Sequence, residues 1–386
     1  ARSAFLQQGR TLTDAARVLG RGPFAGFTQV VLPMARPAIV AGMALALMEA
    51  LADFGAVAVF NYDTFTTAIY KSWFGFFNLQ AAAQLASLLL LFVAIALVLE
   101  LQARGRGKLH QHGNKKQERI RLRGWRGALA SAYCLLVLTL AFLVPFCQLV
   151  LWVIKTGFAG FDARFLALAR HTFLLGAISA ILVGVMALLV AFGQRLAPTR
   201  GSASITRLTA LGYALPGSVL AVGVIIVFTF LDRNLLWPLM RMVWGESQVA
   251  GQVLVGSVAA LVTAYGIRYF SVGLGPVQSS LERIRPQFQE VAQSLGHSHW
   301  QVLRRVYLPL LTPGLMTALI LVLVDVMKEM PATLLLRPFG WDTLAVRVYE
   351  MTSEGEWQRA ALPALTLVLI SMVPVILMVR RSRSDG

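Results

Sequence analysis

The sequence predicts an all-α, polytopic helical membrane protein built from two tandem, pseudo-symmetric halves. Three observations predict it. Hydrophobic residues make up 57% of the 386 and charged ones 14%, with a mean hydropathy of +0.67, whereas soluble domains sit near 45–50% apolar with about a quarter charged. The apolar surplus falls in eight blocks, 39–60, 80–101, 128–154, 172–192, 209–231, 251–272, 314–336 and 361–380. Each is close to the roughly 20 residues that cross a ~30 Å hydrocarbon core as helix. Finally, one polar stretch occurs twice. "DAARVLGRGPFAGFTQVVLP" (Asp14–Pro33) and "EVAQSLGHSHWQVLRRVYLP" (Glu290–Pro309) share their acid, glycine and Leu-Pro punctuation 276 positions apart, and such internal repetition sets the architecture before any single motif does.

Taken in chain order, residues 1–101 form the end of a first half. Thr13 can cap "DAARVL", Gly20 turns the chain, and Pro23 starts the next segment. Blocks 39–60 and 80–101 then cross the membrane. Residues 102–127, "QARGRGKLHQHGNKKQERIRLRGWRG", are a polar, Gly-containing linker with nine Lys and Arg. His110 and His112 within it have no third metal ligand nearby. Residues 128–386 form a second half of six crossings, with the second polar stretch inside a loop at 282–310. There "RIRPQFQEVAQSLG" places Pro286 where a first helical turn tolerates it and Gly296 where helices end, and Ser298 caps a second helix, "HWQVLRRVYL", that Pro309 closes. Val291, Ala292 and Leu295 make a narrow apolar stripe.

The repeat continues past Leu-Pro. Pro37 pairs with Pro313, Glu49 with Asp325 and Asp53 with Glu329 at the same offset, and with a one-residue slip "TTAIY" (66–70) resembles "LAVRVY" (344–349). Four crossings precede the second polar stretch and none precedes the first. Duplicated halves therefore predict about four more helices upstream, roughly 130–160 residues, and residue 1 is not Met.

The net charge of +17 orients the protein and does not point to nucleic acid. With the linker placed inside and each block crossing once, the cytoplasmic segments hold 23 of the 35 Lys and Arg, with Arg380 at the inner end of the last block, and the external ones hold 9. That asymmetry places both polar stretches and the C-terminus in the cytoplasm. Cys134 and Cys147 form neither a CxxC motif nor a disulfide framework and read as small packing residues.

Charges inside membrane helices cost about 2.5–3.5 kcal/mol each and mark bundle interiors or water paths. Glu49 with Asp53, and Asp325 with Glu329, are i,i+4 pairs on single helix faces. Related by a pseudo-two-fold, they would place four carboxylates around one axis, a hard-oxygen route suited to a hard cation such as Fe(III). Structural pairing is the competing reading, because Lys328 sits three residues from Asp325. No metal ligand set is firmly assigned. "LPGS" (215–218) and "EMPAT" (329–333) put proline inside crossings, as broken helices at a lined cavity do, or simple packing kinks.

Both polar stretches resemble the EAA motif of binding-protein-dependent ABC importer permeases. The resemblance is carried by Asp14, Ala15, Ala16, Gly20, Leu32 and Pro33, and by Glu290, Ala292, Gly296, Leu308 and Pro309. Asp14 stands in place of Glu, Val291 in place of the first Ala, and Val30 and Val306 in place of Ile. In the family this loop docks on the ATPase, and its small residues imply close approach at Ala15, Ala16 and Ala292. "EALADFGAVAVFNYDTFTTAIYKSWFG" (49–75), "YALPGSVLAVG" (213–223) and "KEMPATLLLRPFGWDTLAVRVYE" (328–350) are similar to fused ferric-iron permeases. The resemblance implies a type I ABC importer transmembrane fold in the bacterial inner membrane. It also implies alternating access, a homodimer of separate ATPase subunits, a periplasmic binding protein, and ferric iron as cargo, with thiamine or another small solute as the alternative. Nothing resembles GxxxxGK[ST], so ATP belongs on partner subunits and this chain is a transport subunit without cofactor, in contact with lipid. An intramembrane enzyme finds no nucleophile and base at membrane depth. An ion-driven transporter would need no pair of docking loops.

Overall fold

The computed structural model describes residues 22–104, 124–157, 160–196, 211–244, 252–285 and 287–384, together with positions 18, 20 and 209. Every regular element in them is helical. Seven helices are long and apolar enough to cross a membrane: Leu79–Leu99, Trp125–Thr156, Ala163–Leu196, Gly217–Met242, Val258–Glu282, His299–Met327 and Trp357–Ile376. A bent pair, Phe24–Arg36 with Ala38–Ala52, makes an eighth when taken as one span. Each of the eight predicted blocks is helical over most of its described length, and three of them break: block 39–60 at Asp53–Phe54, block 209–231 at Leu215–Pro216 and block 314–336 at Lys328–Met330.

The chain divides into two compact units, residues 1–52 with 88–145, and residues 53–87 with 146–386. These units do not follow the sequence halves, because Asp53–Ser87 packs with the second half. In the smaller unit, α1 (Leu32–Ala52) buries Ala35, Ala44 and Met48 along its length. Within the larger unit lie the short helices α2 (Gly55–Val59) and α3 (Phe65–Tyr70).

The rest of the larger unit is built on α4 (Ala163–Leu196), α5 (Gly217–Leu231), α6 (Val258–Glu282), α7 (Gln287–Ser294), α8 (His299–Val302), α9 (Leu308–Met327), α10 (Pro331–Leu336), α11 (Leu344–Ser353) and α12 (Trp357–Ser384). Helices α4, α6 and α9 pack pairwise and form its core. The buried face of α4 carries Gly176, Ala180, Gly184, Ala187 and Ala191. Such small residues let helices approach closely where lipid offers no hydrophobic drive to association. Many large apolar side chains of these spans remain exposed, Ile181, Val185 and Leu189 among them, as suits a surface solvated by hydrocarbon rather than water.

Trp125–Thr156 has none of its apolar window buried, and Cys134 and Cys147 are exposed on it. Among the described residues the two cysteines are exposed and not buried against the bundle, which corrects the expectation that they are packing residues. Their apolar surroundings gave no sign of which face they occupy.

Candidate functional site

The second polar loop folds as its punctuation dictates. Helix α7 ends at Gly296, whose φ of 80° is a left-handed conformation that side chains disfavour. The His297 amide donates to Ala292 O at 3.2 Å and the Gly296 amide to Gln293 O at 2.9 Å. These two bonds are the Schellman closure of a helix. Ser298 and Gln301 then cap α8 reciprocally, at 3.4 and 3.0 Å.

Pro309 does not close this second helix. Leu303–Tyr307 is a wide π-turn, in which the Leu308 amide bonds Leu303 O, and the helix continues into α9 with Pro309 in its first turn. A bulged turn relieves the clash and missing donor that proline brings to a regular helix.

The first loop shows the same devices 276 residues earlier. Gly20 has φ 74°, Phe27–Val31 is a π-turn closed from Leu32 N to Phe27 O, and α1 starts at Leu32 and Pro33. Asp14, Ala15 and Ala16, like the linker histidines His110 and His112, lie outside the described residues.

The exposed surface of the second loop differs from the expected stripe. Phe288, Val291 and Leu295 are exposed at helical spacing, as is Trp300, while Ala292 is buried. Ala292 thus faces the bundle and is not a small residue offered to a partner, because one narrow stripe cannot serve both faces of an eight-residue helix. Glu290 is exposed. The loop is tied firmly to the spans. The Tyr307 hydroxyl, in a residue with no exposed surface, donates to Gln289 Oε1 at 3.1 Å, and Arg195 Nη2 donates to Ile284 O at 2.7 Å. These bonds tie α7 to the turn that leads into α9, and the segment just before α7 to α4.

At the other end of α9 the chain breaks. Helix α9 has 20 residues, a rise of about 30 Å, so the break lies a membrane's width from the loop. Glu329 is 5% exposed. Its Oε1 accepts from the Ala332 amide at 3.1 Å, capping α10, and its Oε2 accepts from Tyr269 Oη at 2.5 Å and lies 3.5 Å from Arg268 Nε. The Thr333 hydroxyl donates to Glu329 O at 2.7 Å and lies 2.6 Å from Tyr265 Oη.

Both predicted proline breaks meet here. Pro216 precedes α5, and a Cβ placed on Gly217 would lie 2.4 Å from Glu329 Oε1 and 2.6 Å from Arg268 Nη1. Only glycine fits. Arg268 and Tyr269 are partners of this acid that the sequence pattern did not identify. The signal was available, since Arg268 is a lone cation inside a crossing.

The first half repeats the break with a different filling. Asp53 Oδ1 accepts from the Ala56 amide at 3.4 Å, and the Thr66 hydroxyl donates to Asp53 O at 2.6 Å. Asp53 is half-buried, and no ion pair engages it among the described residues. Beyond the breaks, Thr64 precedes α3 and Thr343 caps α11, each following an aspartate, Asp63 or Asp342. These matches put the register slip at three residues, not one. Asp63 pairs with Lys71 and Asp342 with Arg337 at 2.6 Å.

The other two candidate acids differ again. Asp325 pairs with Lys328 at 2.8 Å, the structural pairing weighed above, and Glu49 is exposed on α1. Among the described residues no three His, Cys, Asp or Glu side chains come close enough to hold a metal ion.

Where the repeats meet, Tyr70 and Tyr349 touch edge-to-face with ring centroids 6.2 Å apart. Phe54 lies 5.6 Å from the first and 5.5 Å from the second. Burial raises both phenols above their ordinary value, with Arg337 pulling Tyr70 back in part, so both stay neutral at physiological pH.

A bundle of apolar spans, a repeated polar loop whose second copy is anchored to them, and two repeated helix breaks a membrane's width away define an integral membrane transport subunit. The chain belongs to the family described as binding-protein-dependent transport system inner membrane component, whose profile matches residues 2–104 and 180–383. It is a permease and not a catalytic subunit; in such ABC systems a partner ATPase hydrolyses the ATP.

Among its relatives is the Fe(3+)-transport system permease protein FbpB 2 of Haemophilus influenzae, 29% identical over 96% of this chain and 70% of that protein. A permease of Salmonella typhimurium named for 2-aminoethylphosphonate transport, PhnV, is 37% identical over 32% of this chain and 46% of that protein. A bacterial alginate ABC transporter, solved with an alginate-bound periplasmic protein, shares the fold. Its TM-score is 0.53 at 17% identity, covering 67% of this chain and 96% of that one.

Proposed function

We propose that this chain is the permease of an ATP-driven importer that carries ferric iron delivered by a periplasmic binding protein. The observation that carries the cargo is coverage. The relative named for Fe(3+) transport aligns with 96% of the chain, whereas the one named for 2-aminoethylphosphonate aligns with 32%. The higher identity of that shorter match makes an organophosphonate the second reading.

Coupling rests on the two loops. Exposed Phe288, Val291, Leu295 and Trp300 form an apolar face on a polar turn, the kind of surface that a protein partner covers. Two such loops, one per repeat, suit a two-fold pair of ATPase subunits. ATP-driven closure of that pair pushes α7 and its equivalent, and the anchors at Tyr307 and Arg195 pass the movement into α4 and α9. The positive-inside distribution of Lys and Arg puts these loops, and the C-terminus, on the cytoplasmic side of the inner membrane.

The acids Glu49, Asp53, Asp325 and Glu329 belong to the route in this reading, with unequal shares. Glu329 holds the break together, Asp325 is matched by Lys328, and Asp53 is the carboxylate best placed to meet a passing cation. The experiment is uptake of radiolabelled ferric iron by cells that depend on this permease. ATP-dependent accumulation that 2-aminoethylphosphonate and thiamine do not compete supports iron. Accumulation of either competitor in place of iron overturns it.

A further inference from the structure

Tyr70 and Tyr349 hold equivalent positions in the two repeats, each six residues after the threonine that begins its short helix. Residues related by a pseudo-two-fold can touch each other only beside the axis that relates them. Their edge-to-face contact at 6.2 Å therefore marks where the axis leaves the bundle, at the end away from the polar loops. A route between two pseudo-symmetric halves follows that axis.

The contact is built differently from the break next to it. Glu329 is fixed by a cation, a phenol and a backbone amide. No hydrogen bond or ion pair joins Tyr70 to Tyr349; their rings meet each other and Phe54 edge-on, and Tyr70 stacks on Phe74 of its own segment at 5.2 Å. Such ring contacts are weak and reversible. Both tyrosines are half-buried while Phe54 is 2% exposed, so the pair caps the buried ring from the open side. The segments bearing them are short: α3 runs on through a π-turn at Lys71–Gly75, α11 has ten residues, and both lie outside the membrane-crossing helices. Each can shift without unwinding a span.

We infer that Tyr70, Tyr349 and Phe54 form the outer constriction of the transport route, closed in the state described here and opened when α3 and α11 part. The inference rests on the transport reading above but not on its cargo.

The test uses the assembled transporter in membranes, with the double variant Tyr70→Cys/Tyr349→Cys and a short thiol-specific cross-linker. Cross-linking yield is compared between nucleotide-free and vanadate-trapped complexes. A change of yield between the two states is expected, together with loss of uptake on cross-linking and recovery when a cleavable linker is reduced. Equal yield in both states, or full uptake by the cross-linked protein, overturns the constriction. If the double variant fails to fold, photo-oxidative coupling of the native tyrosines provides the same comparison on the unaltered chain. A 70–349 dityrosine formed equally in both states also overturns it. The yield reports a distance and not a cargo, so failure of the iron reading would show in the uptake competition and leave this result standing.

Discussion

The two helix breaks use one plan and fill it in two ways. In each, a carboxylate 21 residues into a helix that starts at Leu-Pro accepts the backbone amide three positions on and caps the short helix beyond, Asp53 to Ala56 and Glu329 to Ala332. The repeat fixes the capping role. The surroundings fix everything else. Glu329 is sealed among Arg268, Tyr269 and the bare backbone of Gly217, while Asp53, one methylene shorter, stands half-exposed without an ion pair among the described residues. Duplication preserved the joint, with one acid sealed in a buried network and the other left half-exposed.

The comparison breaks most visibly at Glu329. Replacing it by Ala takes the neighbouring carboxylate from Arg268, whose side chain is only 12% exposed, and removing one member of such a pair costs about 3–5 kcal/mol. A large fall in unfolding temperature in detergent and in membrane protein level is expected. Pairing Glu329→Gln with Arg268→Met should recover much of the loss, because removing both charges is far milder than removing one. Next in size is Gly217→Ala. Its Cβ has no room between Glu329 and Arg268, and overpacking of this kind costs about 1–3 kcal/mol, measurable by the same unfolding assay.

A smaller stability effect is expected at Gly296→Val. Forcing a side chain into the left-handed conformation costs about 1–2 kcal/mol, and the larger consequence should be functional. ATP hydrolysis should continue while uptake falls, because the loop would no longer present α7 in its anchored pose. The smallest stability change belongs to Asp53→Asn, which keeps an oxygen for the Ala56 amide and should stay within about 0.5 kcal/mol of wild type, as exposed substitutions do.

Much of this was legible in the chain before the structure. Helix count, the two loops, the Gly296 closure, the Ser298 cap and the fixed offset all follow from local spacing. Three things were not. The π-turns at Phe27–Val31 and Leu303–Tyr307 have no pattern of their own, so proline at 309 read as a stop when it sits inside a continuing helix. The stripe at 288–295 could not say which of its faces the bundle would take, and so Ala292 was assigned outward. Arg268 and Tyr269 reach Glu329 from a helix some 60 positions away, a pairing that only packing creates. The Asp-Thr starts of α3 and α11 were visible in the letters, but three extra residues in the second copy hid their register.

The central claim is that the repeated acids have parted roles, Glu329 holding and Asp53 conducting. It is tested most directly by measuring unfolding temperature and ferric-iron uptake, side by side, for Asp53→Asn and Glu329→Gln. The account predicts that Asp53→Asn unfolds like wild type and loses uptake, while Glu329→Gln unfolds at markedly lower temperature. Wild-type uptake by Asp53→Asn, or wild-type stability of Glu329→Gln, would contradict it.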